Sequence, residues 1–145
     1  MLKEYYSNSY EDTFNIASDF AKTLKKGDII TFDGDLGAGK TAFVSGLAKG
    51  LGISDIVQSP TFTIVNEYRS GKIPLFHFDV YRICDSEEMY DIGFDEYLFG
   101  EGICAIEWAG NISELFDMSH YEITIYKDLD ISDDFRKIVI TRRNS

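Results

Sequence analysis

Residues 34–41 read Gly34-Asp35-Leu36-Gly37-Ala38-Gly39-Lys40-Thr41, a G-x-x-x-x-G-K-[ST] phosphate loop placed directly behind the apolar run Ile29-Ile30-Thr31-Phe32. No other feature restricts the fold of this chain as much. A loop that wraps a triphosphate must turn its backbone N–H groups inward, partly through conformations that a Cβ penalises, and the glycines answer that need. Lys40 would reach the β and γ phosphates, and the Thr41 hydroxyl would sit on Mg²⁺. A helix starting near Lys40 would turn its positive end toward the anion. Strand, loop and helix in this order open an α/β nucleotide-binding unit. The expected fold is therefore α/β: a single P-loop NTPase-like domain over residues 1–145, with a mixed central sheet, flanking helices and antiparallel hairpins. The bland alternative is an ordinary Gly-rich turn between a strand and a helix.

Periodicity fills in the rest. Phe14, Ala17, Phe20 or Ala21, and Leu24 recur at helical spacing, which predicts a helix over residues 10–26 with Ser9 as N-cap and Gly27 as its stop. A buried strand over 28–33 feeds the loop. Residues 40–51 continue as a helix whose apolar face is Phe43, Val44, Leu47, Ala48 and Leu51. Segments 61–69 and 73–82, rich in Thr, Ile, Val, Tyr and Phe, form an antiparallel pair around Ser70-Gly71, and period-two geometry puts His77 and Asp79 on one face. Residues 85–98 are helical with a break at Gly93. The apolar run 102–106 is a core strand ending in Glu107-Trp108, and residues 120–127 and 135–142 form a hairpin around an acidic loop. A carboxylate leaving the C-terminal end of a core strand sits where open α/β sheets hold their ligands. Glu107 is thus the candidate magnesium contact, direct or through water, with an exposed strand-end Glu as the alternative.

The formal net charge of −11 bears on partners. A polyanion such as RNA is normally held by clustered Lys and Arg that displace counterions, and here the basic groupings are only pairs, as in Lys25-Lys26, Arg136-Lys137 and Arg142-Arg143. A nucleic-acid substrate would have to be held by another protein. Solubility alone is an equally good reason for the charge. Cys84 and Cys104 lack CxxC spacing and read as buried thiols. No membrane span is expected. The first residues show no charged-then-apolar secretory pattern, so the expected location is the cytosol.

Five segments then fall in order: the phosphate loop, Ser59-Pro60-Thr61-Phe62, His77-Phe78-Asp79-Val80-Tyr81-Arg82, Gly93-Phe94-Asp95-Glu96-Tyr97-Leu98 and Ile106-Glu107-Trp108. In this spacing the chain resembles the bacterial TsaE (YjeE) family over about residues 10–126. The resemblance implies an ATP-binding and ATP-hydrolysing component of tRNA threonylcarbamoyladenosine (t6A) formation that works with TsaD and TsaB and meets tRNA only through them. By the same resemblance, Gly34, Gly37, Ala38, Gly39, Lys40 and Thr41 hold the phosphates, and Thr41 and Glu107 hold magnesium. Thr61 senses the γ phosphate from a switch-like segment, Asp79 orients water or metal, and Thr13 and Arg136 approach the base. Trp108 would stack at the nucleotide or partner surface, although a lone Trp is more often core. His77 by itself reads as a satisfied strand histidine. The chain departs from the family's commoner pattern at Ala42 and at Ala109-Gly110-Asn111, which bears on partner contacts after residue 108.

The implied chemistry is Mg²⁺-dependent ATP hydrolysis with Lys40, Asp79 and Glu107 as its working side chains, slow alone and faster with partners. Arg82 is the candidate arginine finger, against the bland reading of a surface ion pair. The main rival is a small-molecule kinase, which has the same loop but usually carries an Arg-rich lid that this chain does not show. A GTP switch would need an Asn-Lys-x-Asp reader, absent from the sequence.

Overall fold

The apolar runs become strands and the helical repeats become helices, in the order β1 (Leu2–Ser7), α1 (Tyr10–Ala21), β2 (Ile29–Gly34), α2 (Lys40–Gly50), β3 (Val65–Tyr68), β4 (Leu75–Asp79), α3 (Glu88–Asp91), α4 (Phe94–Leu98), β5 (Ile103–Glu107), a 3-10 segment (Ala109–Leu115), β6 (His120–Lys127) and β7 (Arg136–Arg143). The computed structural model describes residues 2–34, 39–58, 60, 64–81, 83, 85, 87–115 and 118–143. Among these, seven strands form one mixed sheet in the order β1-β7-β6-β2-β5-β4-β3. Strand β2 is parallel to both of its neighbours, β5 and β6, and β4 is parallel to β5. Antiparallel pairs close the two sides, β3 on β4 at one and β6, β7 and β1 at the other.

Strands β2 and β5 carry near-continuous apolar residues because helices cover both of their faces. On one face Ile30, Phe32, Ala105 and Ile123 pack with Phe43, Val44 and Leu47 of α2 and Ala17 and Ala21 of α1. On the other, Ile29, Phe76, Phe78, Cys104 and Ile106 pack with Met89 of α3, Phe94 and Leu98 of α4, and Ile112 of the 3-10 segment. Each fully buried Phe or Ile contributes about 1.5–3 kcal/mol relative to exposure. Helices α1 and α2 cross so closely that a Cβ on Gly46 would lie 2.7 Å from Ala17 Cβ, and one on Gly50 2.6 Å from Ala21 Cβ. Small residues four apart on both helices make the crossing possible.

The predicted helix over 10–26 starts where expected. Ser9 has extended backbone, and its Oγ accepts from the Asp12 N–H at 3.0 Å. It stops early, at Ala21, because the Thr23 hydroxyl donates to the Phe20 carbonyl at 2.7 Å and Leu24 N–H turns back to Ala21 O, an alternative to further helix. Gly27, with φ +86°, instead shapes the turn into β2. Both predicted hairpins and the break at Gly93 are present, the last with φ +75° between α3 and α4. Strand β1 and the 3-10 segment have no counterpart in the sequence reading. Strand β1 is polar, lies at the sheet edge and pairs only with β7, more than a hundred residues away in the chain, which leaves little local signal.

Register carries the fold to its site. Asp79 stands opposite Glu107, Glu107 opposite Phe32, Gly34 opposite Ile125, Lys127 opposite Arg136, and Arg136 opposite Ser7. The C-terminal ends of β4, β5, β2, β6 and β1 and the start of β7 therefore share one edge of the sheet, as expected for ligand sites of open α/β sheets. Among the described residues, no helix is long and apolar enough to cross a membrane.

Candidate functional site

The site begins at the end of β2. Gly39 has φ +102° and precedes α2, a left-handed turn that a Cβ would strain. It offers no side chain to cap the helix. Where Ser9 caps α1, the first N–H groups of α2 have no side-chain acceptor of this kind. The N–H groups at a helix start, together with the positive end of the helix dipole, suit a bound anion. Lys40, the first residue of α2, is buried, and its Nζ lies 4.7 Å from the centroid of the Trp108 ring. Thr41 follows and is exposed. Gly34 closes β2, while Gly37 and Ala38 lie outside the described residues, as do Thr61, Ser59 and Arg82.

Two carboxylates flank this turn. Asp79 and Glu107 end adjacent parallel strands in register, about 4.8 Å apart along the hydrogen-bonding direction, and both point to the face covered by α2. The pairing is closed from both sides: Asp79 N–H donates to Ile64 O at 2.9 Å, and Val80 N–H donates to Glu107 O at 3.2 Å. Asp79 Oδ1 accepts the Tyr81 N–H at 3.0 Å, an Asx turn that fixes the acid as the chain leaves the sheet. Glu107 is buried, and its Oε2 lies 2.6 Å from His77 Nε2. An ionised Glu107 can only accept, so Nε2 carries the proton and donates.

Trp108 is the one described non-glycine residue with positive φ, +63°. A bulky side chain in that region costs roughly 1–3 kcal/mol and persists only where its surroundings hold it. They do so here: Tyr81 packs against the indole with ring centroids 4.8 Å apart, and the Lys40 ammonium lies over its face. The strained turn swings the indole from the end of β5 back across the start of α2. It links the phosphate-loop lysine to the strand-end acid.

Thr13 and Arg136 come together at the far side of the same edge. The Thr13 hydroxyl is 2.7 Å from Ser7 Oγ, and Ser7 pairs in register with Arg136. Arg136 Nη1 donates to the carbonyls of Asp133 and Phe135 at 2.8 and 2.7 Å. Thr13 is thus a packed, hydrogen-bonded residue, and Arg136 is tied to the hairpin loop. Cys104, the described cysteine, is buried as expected, and burial pushes its thiol up to about 12.

Magnesium keeps several waters and takes one or two carboxylates beside substrate phosphates, so a close acidic pair next to a phosphate cradle is a fitting donor set. Glu107 Oε1, which makes no hydrogen bond among the described residues, and the Asp79 carboxylate supply it. Sequence reasoning selected Asp79 and Glu107 but left His77 and Tyr81 without a role. The alternation that put His77 on the face of Asp79 was a usable signal, whereas its partner on β5 lies thirty residues away.

The family described as Threonylcarbamoyl adenosine biosynthesis protein TsaE matches residues 7–137. The tRNA threonylcarbamoyladenosine biosynthesis protein TsaE of Bacillus subtilis (strain 168) is 49% identical over 131 residues, covering 90% of this chain and 80% of that protein. The protein of the same name from Treponema pallidum (strain Nichols) is 40% identical over 119 residues, 82% of this chain and 86% of its own. A crystal structure of Bacillus subtilis YdiB superposes with a TM-score of 0.83 at 39% identity, covering all of this chain and 87% of that one. With family, relatives and architecture in agreement, the chain belongs to the TsaE family of threonylcarbamoyl adenosine biosynthesis proteins and has its P-loop NTPase-like fold.

Proposed function

We propose that this chain, as one P-loop unit over residues 1–145, is a Mg²⁺-dependent ATPase that serves t6A formation on tRNA together with a TsaD–TsaB complex. The observation that carries the proposal is the meeting, on one sheet edge, of the Lys40 turn with the registered acids Asp79 and Glu107. Phosphoryl transfer needs positioning and charge neutralisation more than covalent help. The N–H groups at the start of α2 and the Lys40 ammonium would hold the phosphates. The Thr41 hydroxyl and Glu107 would hold the metal, and Asp79 would orient the attacking water or the metal's waters. Bound magnesium would neutralise the β and γ oxygens. Gly34, Gly37, Ala38 and Gly39 shape the cradle, Thr61 reads the γ phosphate, and Thr13 and Arg136 border the base.

The net charge of −11 supports a division of labour in which partner proteins hold the tRNA, and the working compartment proposed for the chain is the cytoplasm. Reconstitution with TsaD and TsaB tests the proposal by scoring modified tRNA and phosphate release. Intact protein should support both, hydrolysis should be faster in the assembly than alone, and Lys40→Ala and Glu107→Ala should support neither. A folded Lys40→Ala chain that sustains full tRNA modification would overturn it.

A further inference from the structure

We infer that His77 is the positioning residue of the Glu107 carboxylate: it commits Oε2 so that Oε1 faces the phosphate edge. The inference rests on the proposed role of Glu107 at the metal. Three observations carry it.

The first is the bond. His77 Nε2 and Glu107 Oε2 are 2.6 Å apart, at the short end for a charge-assisted contact, with His77 0% and Glu107 6% exposed. A carboxylate with one oxygen fixed this way has one orientation to present, whereas an unrestrained Glu samples several.

The second is the seat. His77 stands in register with Ala105, two positions before the Asp79–Glu107 pair, so the imidazole reaches diagonally along the sheet to Glu107. A methyl side chain at Ala105 leaves room for the ring. Asp79, beside Glu107, is held separately through its own Asx turn.

The third is what the pair fails to do. His77 Nδ1 is buried and has no hydrogen-bond partner among the described residues. Buried polar atoms without a partner are uncommon, and each calls for a reason other than packing. Buried ionic pairs are likewise poor stabilisers, since well-packed apolar residues often serve as well. What the arrangement does provide is geometry, and partners behind metal-side groups commonly set affinity by orienting them.

His77 touches neither nucleotide nor reacting atoms in this arrangement, so it acts through Glu107. The test uses the full chain with Mn²⁺ as the probe and a non-hydrolysable ATP analogue, counting bound Mn²⁺ by electron paramagnetic resonance. His77→Gln keeps a terminal N–H that can reach Glu107, while the His77→Asn amide is too short. His77→Asn should weaken Mn²⁺ binding in the ternary complex about 10-fold or more, with affinity for the metal-free nucleotide unchanged. His77→Gln should recover most of the loss, and hydrolysis should follow the same order through kcat rather than KM. Thermal melts of both variants separate this from simple destabilisation. Wild-type Mn²⁺ affinity in a folded His77→Asn chain would overturn the inference, as would equal losses in both variants. Glu107→Gln separates the role of Glu107 at the metal from the role of His77 behind it. If it binds Mn²⁺ as tightly as wild type, the role of Glu107 fails and the inference with it; if Glu107→Gln weakens binding and His77→Asn does not, only the inference fails.

Discussion

Glu107 and Glu67 each bring a carboxylate oxygen to 2.6 Å from a side-chain nitrogen, His77 Nε2 for the first and Arg69 Nη2 for the second, yet the two pairs lie in opposite environments. The Glu107 pair is enclosed where β4 and β5 lie side by side, with side chains 8% and 0% exposed; the Glu67 pair lies on β3 and just past it, at 37% and 64%. Glu67 is also reached by the Tyr97 hydroxyl at 3.0 Å. At the surface, water competes with each of these contacts, and salt screens the ion pair. In the core no water substitutes, so the removal of one partner leaves the other uncompensated. Equal distance therefore means little by itself: burial decides whether a contact orients a group or merely decorates it.

Activity gives the sharpest separation. Glu107→Ala should lower ATP turnover about 100-fold or more in a phosphate-release assay, because it removes the proposed metal-side carboxylate, while Glu67→Ala should stay within about twofold. Equal turnover of the two variants would erase the functional side of the contrast.

Stability should divide the pairs next. Urea denaturation of Glu107→Ala is expected to show a loss of about 3 kcal/mol, from a buried imidazole left without its acceptor. Glu67→Ala should lose less than about 1 kcal/mol, and less still at high salt. A Glu107→Ala chain as stable as wild type would mean that the core relaxes around His77.

Strand β5 offers a further buried titrating group. The Cys104 thiol, pushed by burial from 9.0 to about 12, is neutral in the folded chain over a range where the unfolded chain ionises. Its folded value is raised, so its contribution is complete below pH 9 and is lost as pH rises toward 12. Between pH 9 and 10 the wild type should lose about 1 kcal/mol more than Cys104→Ala, read as a difference of denaturation midpoints. Parallel pH profiles for the two chains would show that the thiol is open to water.

Glu67 should give the smallest signal, with the opposite sign. The Arg69 hydrogen bond lowers its carboxyl below 4.5, burial partly opposes this, and the Tyr97 hydroxyl adds to the lowering. A lowered folded value means stability present at neutral pH and lost as pH falls below 4.5. The gap between wild type and Glu67→Gln, a few tenths of a kcal/mol at neutral pH, should close in acid. A gap that widens in acid would mean that Glu67 is held by something other than Arg69 and Tyr97.

The same contrast divides local from distant signals in the chain. Strand β2, the glycine-rich loop and helix α2 are contiguous, so spacing alone places Lys40 at the start of α2 behind the turn at Gly39, and an apolar run ending in an acid places Glu107 at the end of β5. Helix α1 was placed correctly at Ser9, where capping is local, and overextended past Ala21, where the Thr23 hydroxyl competes for a backbone carbonyl. His77 was set on the face of Asp79 by alternation alone. That Glu107 lay beside it could not be seen, because period two names a face and not a neighbour.

Residues within a few positions of one another are enough for the α/β class, for the turn at Gly39 between β2 and α2 and for the acids at the strand ends. The register that sets β4 beside β5 and joins Asp79 to Glu107, the buried contact of His77 with Glu107 and the left-handed turn that brings Trp108 onto Lys40 emerge from the assembled fold. Each of those pairings spans tens of residues of chain. The free energy that selects them comes from burying both faces of the whole sheet together, a quantity that no local window contains.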